Sequence, residues 1–230
     1  MGERPYTILN CSISLDGYLD DASEQRLMLS TEADLDRVDA VRATCDAILV
    51  GAATVRNDNP KLLVRAQNRR DDRVIRGLPE SPLKVTVTRG ALLDPQSAFF
   101  LADGTEKLVY CAHSSVTYAR HQLGSKATVI DAGHPVQLRR VTEELYERGV
   151  TRLLVEGGGT IHTQFLSEGL ADELQLVVAP IFVGDSKAVR FVNDGLFPWT
   201  EGRRAELVDV SRIDDQVLLR YALSARFCRG

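Results

Sequence analysis

The first two-thirds of the chain alternate short apolar runs with segments whose apolar residues recur at helical spacing. Short runs rich in Val, Ile and Thr are typical of buried strands, and a spacing of three to four residues is typical of amphipathic helices. Leu35, Val38 and Val41 have this spacing behind a Ser30/Thr31 cap. The pattern predicts helices over residues 31–44 and 136–148, and strands over residues 7–15, 46–51, 84–88, 107–112, 127–130 and 152–155.

The last third of the chain has a different pattern, in which strand-like runs follow one another with little helix between them. Strands are predicted over residues 173–179, 205–213 and 216–223, with a hairpin turn at Asp214-Asp215. Together these elements predict an α/β fold with a mostly parallel central sheet, antiparallel C-terminal edge strands and flanking helices. We expect one domain over residues 1–230, with the polar, Arg-rich residues 67–81 as an exposed loop.

Composition and charge exclude several classes of function. The 230 residues carry 28 basic and 32 acidic side chains in an interspersed order, for a net charge of −4, so nucleic acid is not an expected partner. The N-terminus has no leader-like segment and the chain has no long apolar stretch, which predicts a cytoplasmic protein without a membrane partner. Four scattered cysteines, Cys11, Cys45, Cys111 and Cys228, predict neither a disulfide framework nor a metal site.

The most informative segment is residues 153–160, an apolar run that ends in Glu156 and three consecutive glycines before a helix-like stretch. Glycines let backbone N–H groups approach an anion closely, and the N-terminus of a helix favours negative charge. The segment therefore predicts a phosphate-binding turn for a nucleotide. A tight strand-to-helix turn without a ligand is the alternative that the glycines alone leave open.

Two further segments end predicted strands, where open α/β sheets bind ligands. Residues 12–17 contain an Asp-Gly pair, which also suits a plain turn. Residues 46–62 predict a buried strand and a short helix that stops before Pro60, with Thr54 and Asp58 on one helix face. A capping role for these two residues is the weaker alternative.

Arginines form a third group of candidates. Arg26, Arg42 and Arg65 carry guanidinium forks that suit a phosphorylated small molecule, although isolated arginines are usually solvated surface charges.

Three segments, SLDG at residues 14–17, DAILVGAATVRNDNPKL at 46–62 and VEGGGT at 155–160, resemble one enzyme family. They are similar to the reductase domain of the bacterial riboflavin-biosynthesis deaminase/reductase and to its stand-alone pyrimidine reductase relatives, from about Tyr6 to about Leu223. The resemblance implies a dihydrofolate-reductase-like fold. It also implies NADPH-dependent reduction of the ribosyl side chain of a ribosylaminopyrimidine 5′-phosphate to ribityl. The zinc deaminase signature of the usual partner domain does not occur in this sequence, so we expect a reductase only.

The resemblance further implies roles for individual residues. It assigns Ser12, Thr54 and Asp58 to the nicotinamide half of NADPH, Gly157, Gly158, Gly159 and Thr160 to the pyrophosphate, and Thr88 and Arg89 to the adenosine end. It assigns Arg42, Leu62, Arg65 and Glu156 to the pyrimidine and the phosphoribosyl group, and we add Arg26 as a substrate-binding candidate. Tyr18, Arg26 and Met28 depart from the pattern of many relatives, which have lysine at the first of these positions. Relatives of this family are commonly dimers, so a homodimer is expected.

In the expected mechanism the ribosylamine opens to an imine, hydride passes from NADPH to C1′, and Asp58 or a water assists the proton transfer. The sequence leaves open whether the substrate is the uracil or the earlier diaminopyrimidinone. It also leaves open a dihydrofolate, pteridine or other pyrimidine reductase and a non-catalytic NADPH-binding protein. An ordinary Rossmann dehydrogenase is disfavoured, because the glycines come late and their spacing fails at His162.

Overall fold

The computed structural model describes residues 2–23, 25–101 and 103–227. The strands are β1 (Tyr6–Ser14), β2 (Ala47–Gly51), β3 (Leu83–Thr88), β4 (Lys107–Cys111), β5 (Thr128–Asp131), β6 (Arg152–Val155), β7 (Glu173–Ala179), β8 (Glu206–Ile213) and β9 (Gln216–Ala222). The helices are α1 (Glu32–Ala43), α2 (Ala52–Asp58), α3 (Gln67–Ile75), α4 (Val116–Leu123), α5 (Leu138–Glu147) and α6 (Gly159–Ser167). Short 3₁₀ turns span Ala98–Phe100, His113–Ser115 and Gly124–Lys126.

The chain divides into two compact units. The first comprises Asp39–Leu154 with the N-terminal residues up to Pro5. Its strands β2, β3, β4 and β5 pair in parallel in that order, and β6 lies on the other side of β2. Strands β2 and β4 are buried along their whole length, as expected of parallel strands covered on both faces.

The second unit comprises Tyr6–Val38 and Val155–Gly230. Its strand β1 pairs in parallel with β7, whereas β7 with β9 and β9 with β8 are antiparallel. Asp214, with φ of 53°, turns the chain between β8 and β9, so the predicted hairpin is confirmed. The pairings in the two units confirm the mixed α/β class with mostly parallel strands and antiparallel C-terminal strands. The expectation of one domain over residues 1–230 stays a prediction.

The prediction of an exposed loop over residues 67–81 is wrong, because α3 occupies Gln67–Ile75. Its stabilising contact is polar: the Arg73 side chain is 1% exposed. Nη1 of Arg73 donates to the carbonyls of Ala43 and Cys45 at 3.0 and 2.8 Å, and Nε donates to that of Pro79 at 2.8 Å. The buried residue of α3 is thus an arginine that donates to three backbone carbonyls. Because no apolar stripe faces the core, the sequence pattern does not indicate this helix.

Helix α4 was not predicted either. It is short, buries only Ala119 and Leu123, and ends at Gly124 in a left-handed backbone conformation with φ of 54°. A single apolar pair one turn apart is too weak a periodic signal to separate a helix from a loop.

Among the described residues, no helix is long and apolar enough to cross a membrane. Cys11, Cys45 and Cys111 are buried free thiols, and Cys228 lies outside the described residues. In the same described part of the chain, no group of three or more His, Cys, Asp or Glu side chains could hold a metal ion.

Candidate functional site

The first unit brings two groups of predicted cofactor residues to one edge of its strands. Gly51, the last residue of β2, lies opposite Val87 of the parallel strand β3, so α2 and the residues after β3 start from neighbouring strand ends. On α2, Thr54 and Asp58 are half-buried, whereas Ala52 and Val55 are buried against the unit. The predicted shared face of Thr54 and Asp58 is therefore present, one helical turn apart.

The two residues after β3 differ in what their polar atoms contact. The hydroxyl oxygen of Thr88 accepts the backbone N–H of Ala91 at 3.0 Å, which fixes the turn that follows the strand. Arg89 is exposed, and its backbone carbonyl accepts the Ser115 hydroxyl at 2.9 Å, so the ends of β3 and β4 are tied together. The adenosine-binding roles of Thr88 and Arg89 stay predictions.

The predicted substrate residues of the first unit surround the segment after α2. Nη1 of Arg42 donates to the Leu63 carbonyl at 3.1 Å. Leu62 is buried in a left-handed backbone conformation with φ of 50°, and the Arg65 side chain is about half exposed. The Arg42 side chain thus contacts the segment that contains Leu62 and Arg65, and the substrate-binding roles of these three residues stay predictions.

Asp39 on α1 holds the same segment in place and was not predicted. Its buried carboxylate accepts the backbone N–H groups of Arg65 and Ala66 at 2.5 and 3.1 Å and pairs with the Arg69 guanidinium at 2.9 Å. Burial acts to raise the pKa of Asp39, but these hydrogen bonds and the Arg69 charge hold it below its ordinary value. Nothing in the sequence distinguishes Asp39 from the other charges of α1.

The glycine segment lies in the second unit and opens α6, as predicted. Gly158 is the N-cap residue, and no side chain caps the helix. Gly157 has a φ of 120°, which residues with a side chain rarely adopt. The peptide bond between Gly157 and Gly158 is cis. A Cβ atom at Gly159 would lie 2.3 Å from the Arg190 carbonyl oxygen, so only glycine fits there. Packing thus explains Gly159, whereas the uncapped N–H groups of α6 suit an anion.

His162 lies behind this turn and is fully buried. Its ring packs 3.6 Å from the Cβ position of Gly157 and 5.4 Å, between centroids, from Phe191. Burial lowers the pKa of His162 to about 4, although a hydrogen bond with the Val155 backbone opposes part of the shift, so the imidazole is neutral at physiological pH.

The pKa of His162 predicts how stability depends on pH. Because the folded pKa of about 4 lies below the ordinary value of 6.5, protonation favours the unfolded chain. This contribution to stability is complete above pH 6.5 and is lost as the pH falls toward 4. We expect the loss to reach about 3 kcal/mol, and His162→Leu to remove it from the pH dependence of urea unfolding. Identical pH dependence in the two proteins contradicts a buried neutral imidazole.

Ser12 contacts a polar network rather than an open strand end. Its hydroxyl donates to Asp34 at 3.0 Å and shares a hydrogen bond with Ser30 at 2.9 Å. The Arg37 guanidinium pairs with Asp34 at 2.8 Å and donates to Gln175 and Asn10. The network ties α1 to β1 and β7, and the nicotinamide-binding role of Ser12 stays a prediction.

The SLDG segment forms a turn that fastens a second loop. The Asp16 carboxylate accepts the Ser14 hydroxyl at 2.6 Å and the backbone N–H groups of Val183 and Gly184 at 3.1 and 2.8 Å. The Ser14 hydrogen bond and these backbone hydrogen bonds lower the pKa of Asp16 to about 2, although slight burial opposes them.

Two remaining predicted substrate residues differ in exposure. Arg26 is exposed, and Glu156 is half-buried directly before Gly157.

Comparisons with known proteins decide the family. The model of the RibD C-terminal domain matches residues 5–219. The chain belongs to this family. It is 34% identical over 98% of its length to the 2,5-diamino-6-ribosylamino-4(3H)-pyrimidinone 5′-phosphate reductase of Archaeoglobus fulgidus, of which it covers 100%. The predicted membership of the riboflavin-biosynthesis reductase family is thereby confirmed.

Solved structures of known proteins show the same fold. A pyrimidine reductase-like protein of Corynebacterium diphtheriae superposes with a TM-score of 0.81 at 22% identity, over 95% of this chain and 91% of that one. Dihydrofolate reductase of Enterococcus faecalis gives a TM-score of 0.51 at 11% identity, over 96% and 98%. These likenesses confirm the dihydrofolate-reductase-like fold.

Proposed function

We propose that this chain is an NADPH-dependent reductase of riboflavin biosynthesis that converts the ribosyl group of a ribosylaminopyrimidine 5′-phosphate to ribityl. Of the two substrates that the sequence leaves open, we favour the diaminopyrimidinone. The name of the Archaeoglobus relative, matched over nearly the whole of both chains, supports this choice. The geometric observation that carries the proposal is the uncapped N-terminus of α6 directly after Glu156.

In each unit, the residues present have the chemistry that one part of the dinucleotide needs. The N–H groups at the start of α6 face no side-chain cap, so they can receive a pyrophosphate, and Gly157 and Gly158 place no side chain in its way. Thr54 and Asp58 fit the nicotinamide half, and Arg89 fits an adenosine phosphate. When bound, NADPH supplies the hydride that the reduction needs.

Side chains of this chain bind the substrate and assist the proton transfer. Glu156 accepts hydrogen bonds from ring amino groups, and Arg42 and Arg65 bind the substrate phosphate beside the segment that Asp39 fastens. Asp58 holds the proton that reaches the nitrogen or oxygen next to C1′. Positioning by these residues and exclusion of water supply the rest of the rate enhancement.

Asp58→Asn tests the proton-transfer role. The amide preserves the size and one acceptor oxygen but cannot donate an acidic proton, so we expect kcat to fall about 100-fold with a smaller change in KM. Stopped-flow NADPH oxidation across the pH range measures both quantities. Asp215→Asn, at an exposed turn residue, controls for the loss of one negative charge. Wild-type turnover of Asp58→Asn at every pH contradicts the role.

The function itself is tested by the loss of NADPH absorbance with three substrates in parallel. They are the 2,5-diamino-6-ribosylamino-4(3H)-pyrimidinone 5′-phosphate, the 5-amino-6-(5-phosphoribosylamino)uracil and dihydrofolate. We expect the diaminopyrimidinone to be reduced fastest. If the uracil is reduced faster, the uracil and not the diaminopyrimidinone is the substrate. Reduction of dihydrofolate alone overturns the proposal.

A homodimer is part of the proposal. The C-terminal strands expose apolar side chains, with Leu207, Val210 and Val217 each at least 40% exposed on β8 and β9, and burial in a second copy removes this surface from water. Sedimentation equilibrium should give twice the mass of the chain. The cytoplasmic location stays a prediction.

A further inference from the structure

A buried carboxylate of α1 lies against β1 in the second unit. The Asp34 side chain is fully buried, and its Oδ1 atom accepts the Nε–H of Arg37 at 2.8 Å. The two side chains form an ion pair, in which the guanidinium is always charged and Asp34 is the carboxylate. A carboxylate has no hydrogen to donate, so Asp34 only accepts hydrogen bonds.

The other contacts of Arg37 hold this ion pair in one orientation. Nη1 of Arg37 donates to the side-chain oxygen of Gln175 at 2.7 Å, and Nη2 donates to that of Asn10 at 2.8 Å. The Gln175 amide is itself oriented, because its Nε2 atom donates to Glu173 at 2.9 Å. Each side of the guanidinium therefore has a partner, and the network fixes where Asp34 lies.

The hydroxyl group of Ser12 has a defined hydrogen-bond direction as a result. Its oxygen lies 3.0 Å from Oδ2 of Asp34 and 2.9 Å from the hydroxyl oxygen of Ser30. A hydroxyl group has a single hydrogen and two lone pairs. Because Asp34 takes the hydrogen of Ser12, Ser30 must be the donor in the second bond. Among the described residues no other group donates to the Ser12 hydroxyl, so it can only accept a hydrogen bond from a ligand.

Ser12 lies where a ligand is expected. It is half-buried near the carboxyl end of β1, which pairs in parallel with β7, and open α/β sheets bind ligands beyond such strand ends. An acceptor at this place suits a ligand group that carries a hydrogen. In the nicotinamide half of NADPH, the carboxamide NH₂ is the N–H donor.

We propose that Asp34 is a positioning residue that makes the Ser12 hydroxyl an acceptor, and that Ser12 thereby selects the carboxamide N–H of the nicotinamide. This inference rests on the proposed function and on the predicted place of Ser12 at the nicotinamide half. Without the carboxylate, the hydroxyl hydrogen of Ser12 can rotate toward the ligand. The hydroxyl group then donates to a carbonyl as readily as it accepts from an amide.

Binding of two dinucleotides to the full chain tests the proposal without turnover. NADP⁺ carries the carboxamide, and its 3-acetylpyridine analogue has a methyl group in place of the NH₂. Isothermal titration calorimetry gives the ratio of the two dissociation constants for each protein. The wild type should favour NADP⁺ about 10-fold, because the analogue leaves the acceptor unpaired. Ser12→Ala and Asp34→Asn should each lower this preference about 3-fold to 10-fold.

Ser211→Ala is the matched control for Ser12→Ala. The Ser211 hydroxyl also donates to a carboxylate of the same unit, that of Asp209 at 2.7 Å. Its removal should leave the preference for NADP⁺ as in the wild type. Ser30→Ala should also keep the preference, since Asp34 still takes the hydrogen of Ser12. This variant decides the role of Asp34 if circular dichroism shows that Asp34→Asn does not fold.

The outcomes separate this inference from the proposed function. The inference is overturned by a wild type that binds both dinucleotides equally or binds neither, and by a Ser12→Ala protein with the wild-type ratio. Loss of the preference in Ser30→Ala, or its retention in a folded Asp34→Asn protein, overturns the positioning role of Asp34. A wild type that prefers NADP⁺ through Ser12 but reduces no pyrimidine refutes the proposed function only.

Discussion

Gly159→Ala is expected to lower the melting temperature by about 6–12 °C, which corresponds to about 3 kcal/mol. The new methyl group would lie 2.3 Å from the Arg190 carbonyl oxygen and 3.5 Å from that of Phe191. Both are backbone atoms that are held by pairing with the turn after β1, so no side chain can rotate away. The start of α6 must shift, and NADPH affinity should fall together with stability. Differential scanning calorimetry and fluorescence titration measure the two effects.

Gly202→Ala is the matched control for this substitution. A Cβ atom at Gly202 meets nothing within 4 Å, and its backbone needs no left-handed conformation. The control should melt within about 2 °C of the wild type, as surface substitutions usually do. A Gly159→Ala protein that melts with the control shows that residues 190–191 move aside easily, which contradicts a rigid backbone at the start of α6.

Arg73→Met should destabilise the protein by about 3–5 kcal/mol and lower its melting temperature by about 10 °C. Methionine keeps the apolar stem but removes the donors to the carbonyls of Ala43, Cys45 and Pro79. Unpaired carbonyls in a buried site cost more than the net value of the bonds that they lose. Guanidinium chloride unfolding measures the difference in free energy.

Arg140→Met provides the comparison for Arg73, because Arg140 is an exposed arginine on α5 of the same unit. Its substitution should change the free energy of unfolding by less than about 0.5 kcal/mol. If the two variants unfold alike, α3 is held by other contacts and the polar account of this helix fails.

Strands were the part of the fold that the sequence predicted best. β2 and β4 are continuous apolar runs, and a run of that kind has few alternatives to a buried strand. Helices with an apolar stripe, such as α5, were also predicted, since Leu138, Val141 and Leu145 recur at helical spacing. Helix α3 was missed because its stability depends on tertiary hydrogen bonds of one arginine, which no local pattern contains.

The residues of the candidate site also fall into those that the sequence predicts and those that it does not. Residues on motifs, such as Thr54, Asp58 and the glycines of α6, could be placed on their elements from spacing alone. Asp39 could not, because it acts on a segment distant in sequence and belongs to a residue type that is usually solvated. His162 enters the sequence analysis only as a break in the glycine spacing, and its full burial is visible only in three dimensions.

The turn after β1 bears on how kinetic data from this enzyme should be interpreted. The pKa of Asp16 is held at about 2, so the hydrogen bonds that fasten Val183 and Gly184 persist throughout the range in which rates are measured. Protonation of this carboxylate therefore cannot produce the acid limb of a pH–rate profile near neutrality. An inflection seen there must be assigned to another group.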